Sequence, residues 1–531
     1  MINGLSLENF KAFANKQDIP MAPITLIYGE NSSGKSSILY SLLLQKQTIQ
    51  ESSNPNTALL YKGSYTDQQN YSRCVNGRDV DKEIEISVKF RPISLTEEDM
   101  MLYPVYAFIP SYPVDALLSE TEEEFLNELE KSGVNLEEKN RYYDYIDSNF
   151  TVFCTRYKNG NEGTKIYSLT IKNNEDVVAK IEKLKNKIES ISEEGYEFPY
   201  SIQYGLDFDT NSPVNHDIYD YYISRKEAIS ESFIRTIYFS NKYKSHARDK
   251  EFIDYESFMN NFLPNIHDSL CLLRNGVPVY SESKSPYYKS VIHFLSKNYE
   301  KIIREISYLG PLRDNPKRFS DTAKDIYFDV GTRGENTTSI LSRSPEVIDG
   351  VNRWLQRLGM NYELTIRELK EDEMLAFGDI HTLQVHDLTN RTPLTLCDVG
   401  FGISQVLPIL TQGLIAKENS SVLIEQPEIH LHPKMQAELG DYFVERSKEC
   451  QFIIETHSEH LLLRLMRRIR ETTNGTIEDP KLQLRPREVS VLYVENKNGA
   501  ATIRQMKISE DGDSFGEWPE GFFEERAKEL F

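Results

Sequence analysis

The sequence predicts an α/β fold in which one sheet carries a glycine-rich loop, an antiparallel β layer adjoins it, and a mixed α+β insertion interrupts the chain. Residues 24–28 are apolar and lead through a glycine-rich loop into residues 37–44, which have a helical composition. Residues 2–10 and 83–90 alternate apolar and polar side chains, the period of half-exposed strands. Residues 91–305 are rich in Tyr, Glu, Asp and Lys, and we interpret them as an insertion.

The composition is that of a large, acidic, folded protein. The 531 residues include 61 Lys and Arg against 82 Asp and Glu, a net charge of −21, and 39% of them are hydrophobic. This charge disfavours sequence-independent coating of nucleic acid, because phosphate binding needs a positive face, although a local basic groove could still make such contact. The chain lacks both a run of ~20 apolar residues and a signal peptide, so we expect a cytoplasmic protein with no membrane partner. Five scattered cysteines argue against a zinc site or a disulfide framework.

A hydrophobic seam lies inside the insertion. Val177, Ile181, Leu184, Ile188 and Ile191 recur at spacings of four, three, four and three residues. This spacing predicts a short amphipathic helix that packs on its own domain. At little more than two heptads, the seam is too short for a long coiled-coil arm.

Residues 29–36 match the pattern G-x-x-x-x-G-K-[ST] between an apolar strand and a helix. The glycines let backbone N–H groups point at phosphate oxygens, and the helix N-terminus adds its positive dipole. Lys35 is expected to neutralise the β and γ phosphates, and Ser36 to ligate Mg²⁺. The strand before the loop and the helix after it disfavour a chance glycine-rich turn. The predicted phosphate-binding residues are Gly29, Asn31, Ser32, Ser33, Gly34, Lys35, Ser36 and Ser37.

Residues 422–428 read V-L-I-E-Q-P-E, which predicts a buried strand that ends at Glu425. There the Glu425 carboxylate can complete the Mg²⁺ shell opposite Ser36, although an ordinary strand-end carboxylate is the alternative. Many ATPases of this plan place a second carboxylate next, where this chain has Gln426. An amide can orient water but cannot accept its proton, so hydrolysis should be slow unless Glu428 or another group substitutes.

Two further stretches follow the same plan. Gly400, Gly402, Ser404 and Gln405 form a Gly-x-Gly turn just before a predicted helix and can present N–H groups and a hydroxyl to a second γ-phosphate. Alone, such a motif is more often a tight turn. His457 ends an apolar strand and is placed to sense a γ-phosphate as a hydrogen-bond donor, whereas a solitary histidine would be presumed structural.

The order of these motifs resembles that of ABC-type ATPase heads of the RecF, SMC and OLD class. The resemblance implies a Walker A loop at residues 29–36, a Walker B carboxylate at Glu425, a catalytic-glutamate position at Gln426, a signature motif at residues 400–405 and a switch histidine at His457. It implies ATP and Mg²⁺ as cofactors. It also implies a homodimer or higher homo-oligomer in which two heads sandwich two nucleotides and each signature motif closes the partner's site.

The family often stacks adenine on an aromatic residue that precedes the Walker strand, and Phe13 lies there. A core aromatic is the equal alternative for Phe13. The resemblance also implies a division of the chain: residues 1–90 and 306–475 as the ATPase head, 91–305 as a partly helical insertion, and 476–531 as a C-terminal extension packed on the head.

Four stretches look like the PtuA-type ATPases of Septu and retron antiphage systems: L-G-P-L-R from residue 309, D-V-G-F-G-I-S-Q-V-L-P, I-E-Q-P-E-I-H-L-H-P and W-P-E-G-F-F. This resemblance covers residues 1–90 and 306–531. It implies a role in antiphage defence beside a separate, PtuB-like HNH nuclease and, in some systems, a reverse transcriptase with its DNA product.

We expect no nuclease site on this chain. Asp511-Gly512-Asp513 resembles part of a Toprim site, but a turn explains it better, and the loop with His430 and His432 is better explained as a dimer contact than as a metal site. Arg464, Arg467, Arg468 and Arg470 could follow phosphates, although a solvated helix face is the commoner meaning of such a run. The alternative function is a RecF- or SMC-like ATPase that binds DNA in repair or recombination.

Overall fold

A parallel sheet and an antiparallel sheet organise the protein. The computed structural model describes residues 1–54, 57–92, 150–160, 163–173, 176–183, 200–204, 269–274, 277–281, 286–315, 320–321, 327–368, 380–390, 392–497 and 499–513. The strands within these residues are β1 (Ile2–Glu8), β2 (Gln17–Pro20), β3 (Ile24–Gly29), β4 (Ile84–Phe90), β5 (Thr151–Gly160), β6 (Gly163–Asn173), β7 (Asp176–Lys183), β8 (Tyr200–Tyr204), β9 (Ser269–Arg274), β10 (Val277–Ser281), β11 (Ile306–Leu309), β12 (Ser320–Asp321), β13 (Tyr362–Glu368), β14 (Ile380–Asp387), β15 (Thr392–Thr395), β16 (Ser421–Glu425), β17 (Gln451–Glu455), β18 (Val489–Lys497) and β19 (Ala500–Met506). The α-helices are α1 (Lys35–Glu51), α2 (Tyr71–Cys74), α3 (Pro286–Arg304), α4 (Thr337–Arg343), α5 (Pro345–Arg357), α6 (Phe401–Ile415), α7 (Pro433–Arg446) and α8 (Glu459–Thr473).

The parallel sheet positions the site. Its strand order is β11-β16-β17-β3-β18-β19, with the first five strands parallel and β19 antiparallel to β18. Strands β3, β16 and β17 are buried along their whole length, as expected for strands covered on both faces. Because parallel strands end at the same edge, the loop after β3 and the residues after β16 and β17 meet there.

Alternate residues of the parallel strands enter two separate cores. Ile27, Leu423 and Ile453 join the core that includes α1 and the antiparallel sheet. Leu26 and Ile454 join the core on the other face, with apolar residues of helices α4 to α8. The alternation follows from the two-residue period of a strand, and it makes the parallel sheet the middle layer.

The antiparallel sheet has the order β10-β9-β8-β7-β6-β5-β4-β1-β2 among the described residues. The predicted α/β architecture of a P-loop sheet with an antiparallel β layer is therefore confirmed. A third, smaller sheet has the order β12-β14-β13, with β15 paired to β14. No described helix combines the length and the apolar composition that a membrane crossing requires.

Two local predictions were wrong. The seam that begins at Val177 was predicted to be a helix, but residues Asp176–Lys183 form β7, which pairs with β6 and β8. Val177, Ala179 and Ile181 also fit the two-residue period of a strand, and pairing with two neighbours decides between the periods. Residues 184–199, with the rest of the seam, lie outside the described residues. The predicted Gly-x-Gly turn is also absent, because α6 already begins at Phe401 and Gly400 is its N-cap.

The sheets cross the predicted domain boundaries. Strand β5 lies in the predicted insertion and pairs with β4, which lies in the predicted head, so the antiparallel sheet spans the boundary predicted at residue 90. Strand β18, from the predicted C-terminal extension, pairs with β3 inside the parallel sheet. The division into a head, an insertion and an extension stays a prediction, and residues 514–531 with W-P-E-G-F-F lie outside the described residues.

The basic helix α8 is largely ion-paired. Arg464 and Arg468 both donate to the carboxylate of Asp441 on α7, at 2.6 Å each, and that carboxylate is 1% exposed. Arg467 pairs with Glu471 on the same helix. Helix α8 is therefore fixed to α7 through two of its arginines, while Arg467 lies on the solvated face.

The stretch after β19 turns as predicted. Gly512 has φ 69° and the Asp513 N–H donates to Asp511 Oδ1 at 3.0 Å. Arg470 of α8 pairs with Asp513. These contacts form a turn held against α8.

Candidate nucleotide site

A cavity of about 620 Å³ lies at the carboxyl edge of the parallel sheet. It collects residues from the glycine-rich loop, from the ends of β16 and β17, and from the segment around α2. Its lining consists of Lys11, Ala12, Asn31, Ser32, Gly34, Lys35, Ser36, Ser37, Tyr40, Arg73, Val75, Gly77, Arg78, Gln426, Glu455 and His457. Gly29 and Ser33, which belong to the same loop and were also predicted to bind phosphate, are buried and do not line the cavity.

Glycine is required at both ends of the loop. Gly29 has φ 148°, and a Cβ there would overlap the carbonyl of Val494 on the neighbouring strand. Gly34 has φ 114°, and its Cβ would lie 2.8 Å from that of Ala12. Both positions need the positive φ and the close approach that only glycine allows. Asn31, Ser32 and Gly34 of this loop line the cavity, so the loop has the shape of a cradle that fits a polyphosphate.

The Lys35 ammonium closes the loop on itself. Its Nζ donates to the carbonyls of Gly29 at 3.0 Å and Glu30 at 2.8 Å. Burial lowers the pKa of Lys35, and the carboxylate of Glu455 opposes that shift. The ammonium therefore lies at the cradle, where an incoming phosphate can exchange with the two carbonyls.

Two carboxylates end neighbouring strands. Glu425 and Glu455 are direct partners in the register of β16 and β17. The Tyr308 hydroxyl donates to Glu425 Oε1 at 2.7 Å, and the Ser36 hydroxyl donates to Glu455 Oε2 at 2.7 Å. Strand β17 lies between β16 and β3, so the carboxylate at the end of β17 is the one that accepts from Ser36. The predicted role of Glu425 in completing the Mg²⁺ shell stays a prediction.

The two carboxylates also influence each other. Burial raises the pKa of Glu425 to about 7, the negative charge of Glu455 adds to the shift, and the Tyr308 hydroxyl opposes it. Burial likewise raises the pKa of Glu455, and its hydrogen bond from Ser36 opposes the shift. Paired hard oxygen ligands beside a hydroxyl are the donor set that Mg²⁺ prefers. Ser36, Glu425 and Glu455 thus fit a magnesium ion.

Gln426 lines the cavity in a left-handed conformation, with φ 47°. Its N–H donates to the Glu455 carbonyl at 2.7 Å. The buried guanidinium of Arg313 donates to the carbonyls of Gln426 at 3.0 Å and Glu425 at 2.9 Å. Burial lowers the pKa of Arg313 to about 10. Arg313, the last residue of the L-G-P-L-R motif, therefore fixes the backbone of Gln426, which lines the cavity.

Glu428 and His457 form one unit. The Thr456 hydroxyl donates to Glu428 Oε2 at 2.7 Å, and the His457 N–H donates to Oε1 at 2.6 Å. Glu428 does not line the cavity, because both of its oxygens hold the loop after β17, and its predicted role in activating water stays a prediction. His457 does line the cavity, and burial, with a smaller contribution from Lys35, lowers its pKa. The imidazole is thus favoured in its neutral form.

Phe13 was predicted as a residue that could stack on adenine, but it is 0% exposed and belongs to the core beneath the antiparallel sheet. It forms a bridge with Phe10, and its side chain does not line the cavity. The core-aromatic alternative is therefore the one observed. Lys11 and Tyr40 line the cavity instead.

The predicted signature residues lie elsewhere in this protomer. Gly400 caps α6, and Gly402, Ser404 and Gln405 lie in its first turns. None of the four lines the cavity described above, and Ser404 and Gln405 are buried. Among the described residues, no group of three His, Cys, Asp or Glu side chains could hold a metal, and this applies to the loop of His430 and His432.

Several cavity residues belong to no sequence pattern that we singled out. Glu455 carried a signal, because it ends an apolar strand two residues before His457. Lys11, Tyr40, Arg73 and Arg78 carried no motif. Tyr40 reaches the cavity from α1, Lys11 from the turn after β1, and Arg73 and Arg78 from the segment around α2.

Known proteins with a similar sequence or fold include an endonuclease and SMC head domains. The chain is 29% identical over 181 residues to the endonuclease GajA of Bacillus cereus (strain VD045), a match that covers 30% of this chain and 30% of that relative. It aligns with the SMC head domain from Thermotoga maritima at 11% identity and a TM-score of 0.34, over 96% of this chain and 99% of that one. An Smc head bound to the C-winged helix domain of ScpA gives 12% identity and a TM-score of 0.35, over 96% and 98% of the two chains.

Two family models match along the chain. A family described as a protein of unknown function matches residues 484–531. The model of the AAA ATPase domain matches residues 1–462, which include the glycine-rich loop, both strand-end carboxylates and His457. The chain therefore belongs to the AAA ATPase domain family.

Proposed function

We propose that this protein is an ATP-binding, dimerising ATPase of the ABC type that regulates a separate HNH nuclease in antiphage defence. One observation carries the proposal: Lys35, Ser36, Glu455, Gln426 and His457, which are distant in sequence, line one cavity at the carboxyl edge of the parallel sheet. A phosphate cradle, oxygen ligands for a cation, and an amide and an imidazole able to face a γ-phosphate are the parts that phosphoryl transfer needs.

The residues have separate tasks in this proposal. Bound Mg²⁺ would neutralise charge on the β and γ phosphates. Lys35 would exchange its carbonyl partners for phosphate oxygens, and Ser36 would hold the cation together with the strand-end carboxylates. Gln426 would orient water through its amide but cannot take a proton from it, so turnover is slow and nucleotide-bound states persist.

Dimerisation completes the site in this proposal. The N-terminus of α6, with Gly400, Gly402, Ser404 and Gln405, lies outside the cavity of its own protomer. A helix N-terminus attracts anions, and its position away from the cavity suits a contact with the γ-phosphate bound by a second copy. The homodimer would therefore form when both sites hold ATP.

Similarity to other proteins supports the proposal of a nuclease partner. The chain is similar to an endonuclease, GajA, over about a third of its length, and its motifs resemble those of PtuA-type ATPases. We propose that a separate, PtuB-like HNH nuclease binds this ATPase, in some systems together with a reverse transcriptase and its DNA product. The nucleotide state of the dimer would then license cleavage.

Co-purification with the nuclease encoded beside this chain tests the proposal. The parent should bind that nuclease, and ATP with Mg²⁺ should change its cutting of DNA. Lys35→Ala should weaken ATP binding by at least about tenfold and remove the effect of ATP on cutting, because a charge-assisted contact contributes about 1.5–3 kcal/mol. Lys481→Ala, on the exposed surface, is the matched control.

Two results would count against the proposal. If Lys35→Ala leaves nuclease binding and cutting unchanged, the ATPase does not control a nuclease. If the isolated chain instead binds DNA in an ATP-dependent manner that weakens steeply with salt, a RecF- or SMC-like function is favoured. The acidic net charge and the ion-paired arginines of α8 both weigh against that second outcome.

A further inference from the structure

Three glutamates lie at or just after the ends of β16 and β17, but only one of the three lines the cavity. Both oxygens of Glu428 hold the loop before His457, and Glu425 accepts from Tyr308. Glu455 alone of the three contributes to the cavity wall. Position in the sheet explains this, because β17 is the strand directly beside β3, and the loop that carries Lys35 and Ser36 follows β3.

Glu455 also accepts hydrogen bonds from Ser36 and from Gln426, two residues with proposed roles in phosphoryl transfer. Its Oε2 accepts from the hydroxyl of Ser36 at 2.7 Å, across 419 positions of sequence. Its backbone carbonyl accepts from the N–H of Gln426 at 2.7 Å. The residue is 5% exposed, so the carboxylate is held in one place by its surroundings.

We propose that Glu455 is the second acidic residue of the magnesium site, acting with Ser36 directly beside the loop. The inference rests on the proposed function and deepens it. The strand that carries Glu425 is followed by an amide, Gln426, at the position where a second carboxylate is expected, and the neighbouring strand places the carboxylate of Glu455 in the same cavity. The acidic pair of this site is therefore divided between two strands.

A bound divalent cation would explain why two buried carboxylates, those of Glu425 and Glu455, lie side by side at this sheet edge. Glu425 and Glu455 are register partners at one sheet edge, where two negative charges repel each other. A cation between the cradle and the strand ends offsets that repulsion. The hydrogen bond from Ser36 to Glu455 turns the hydroxyl oxygen so that its lone pairs remain free for the same ion.

Metal binding tests the inference without relying on turnover. Purified full-length protein is mixed with Mn²⁺ and a non-hydrolysable ATP analogue, and free Mn²⁺ is measured by electron paramagnetic resonance. We expect Glu455→Gln to weaken Mn²⁺ binding by about tenfold to a hundredfold, the range for removed partners of a metal site. Glu449→Gln, an exposed glutamate paired with Arg446, is the matched control and should leave Mn²⁺ affinity unchanged.

Nucleotide affinity gives a second readout. In EDTA, Glu455→Gln should bind a fluorescent ATP analogue at least as tightly as the parent, because a negative charge near the phosphates is removed. With Mg²⁺ present, the gain in affinity seen for the parent should largely disappear. Glu455→Asp, which keeps the charge, should restore part of that gain and serves as the second variant if Glu455→Gln folds poorly.

The outcomes separate the two proposals. If the parent shows Mg²⁺-dependent ATP binding and Glu455→Gln keeps Mn²⁺ affinity within twofold, the inference is wrong while the proposed ATPase stands. A loss of Mn²⁺ affinity confined to Glu425→Gln would likewise contradict the inference, because the metal then needs only the carboxylate of β16. If the parent binds no nucleotide with or without Mg²⁺, both proposals are wrong.

Discussion

Three side chains at the carboxyl edge of the parallel sheet have hydrogen-bond partners within the protein. Ser36 donates to Glu455, Tyr308 donates to Glu425, and Lys35 donates to two loop carbonyls. In the proposed function, binding of a magnesium nucleotide would therefore replace these three sets of hydrogen bonds. Charge changes at single positions should accordingly give clear and separable effects.

Gln426→Glu should speed ATP hydrolysis. Gln426 lines the cavity, and a carboxylate there could accept a proton from water, which an amide cannot. We expect the rate of phosphate release to rise by about 10²-fold, the lower range for a positioned general base. Gln483→Glu on the exposed surface is the control. An unchanged rate would mean that water is activated by another group.

Glu425 should make stability depend on pH. Burial raises its pKa from 4.5 to about 7, so the protonated form stabilises the folded state below about pH 4.5, and this stabilisation is lost as the pH rises through about 7. In metal-free and nucleotide-free buffer, Glu425→Gln should exceed the parent by up to about 3 kcal/mol at pH 8 and match it near pH 4.5. Thermal unfolding across this range measures the difference, and a parent that is the more stable protein at pH 8 would contradict it.

At the scale of elements, α7 and α8 are joined by charge as well as by apolar packing. Arg464 and Arg468 are 12% and 14% exposed, and they share the carboxylate of Asp441. These arginines were candidates for phosphate contact in the sequence, and the fold uses them between two helices. Helix α8 begins directly after His457 and Ser458, and the side chain of Ser458 caps it. The ion pairs of Asp441 with Arg464 and Arg468, here called the α7–α8 clamp, therefore also hold the helix that follows the His457 loop.

Asp441→Asn should destabilise the protein strongly. It removes the shared carboxylate from two largely buried guanidinium groups, of which Arg464 keeps Glu438 and Arg468 keeps Glu471. Breaking a buried pair outright costs about 3–5 kcal/mol, so we expect a loss of up to about 3 kcal/mol. Urea or thermal unfolding measures the loss. Arg467→Ala, at an exposed pair with Glu471, should change stability by less than about 1 kcal/mol. Equal effects of the two variants would mean that the clamp contributes no more than a surface ion pair.

At the scale of the whole molecule, the proposed sandwich of two heads predicts that α6 acts on the partner's nucleotide. Gly400 is suited to a test, because it has φ −59° and a Cβ there meets nothing within 4 Å. A side chain at this position is therefore compatible with the folded protomer. Only a contact with a second copy should be affected.

Gly400→Asp should abolish ATP-dependent dimerisation while leaving ATP binding by the monomer intact. The added carboxylate would face the partner's γ-phosphate, and such like-charge contacts weaken an interface by several kcal/mol. Light scattering with Mg²⁺ and a non-hydrolysable ATP analogue measures the dimer, and nucleotide affinity is the internal control. A full ATP-dependent dimer of Gly400→Asp would place the interface elsewhere.

Local sequence was sufficient to define most elements of the site and the phosphate loop. Strand β3, the loop and α1 follow from an apolar run, two glycines and a helical composition, because these are short-range properties of the backbone. The strands that end at Glu425 and next to His457 were equally evident. The seam at Val177 was not, because a short apolar pattern can satisfy the helix and the strand period at once.

Which of these residues meet depends on the order of the strands. Ser36 contacts Glu455 and not Glu425 because β17 lies beside β3 in the sheet, and strand order is a long-range property that no local pattern encodes. Phe13 is a core residue because the antiparallel sheet covers it, and Glu428 holds the His457 loop because two strand ends adjoin. The amino-acid sequence alone specifies which chemical groups the site contains. The tertiary structure determines which of these groups contact one another, because the contacts depend on how strands that are distant in sequence lie side by side.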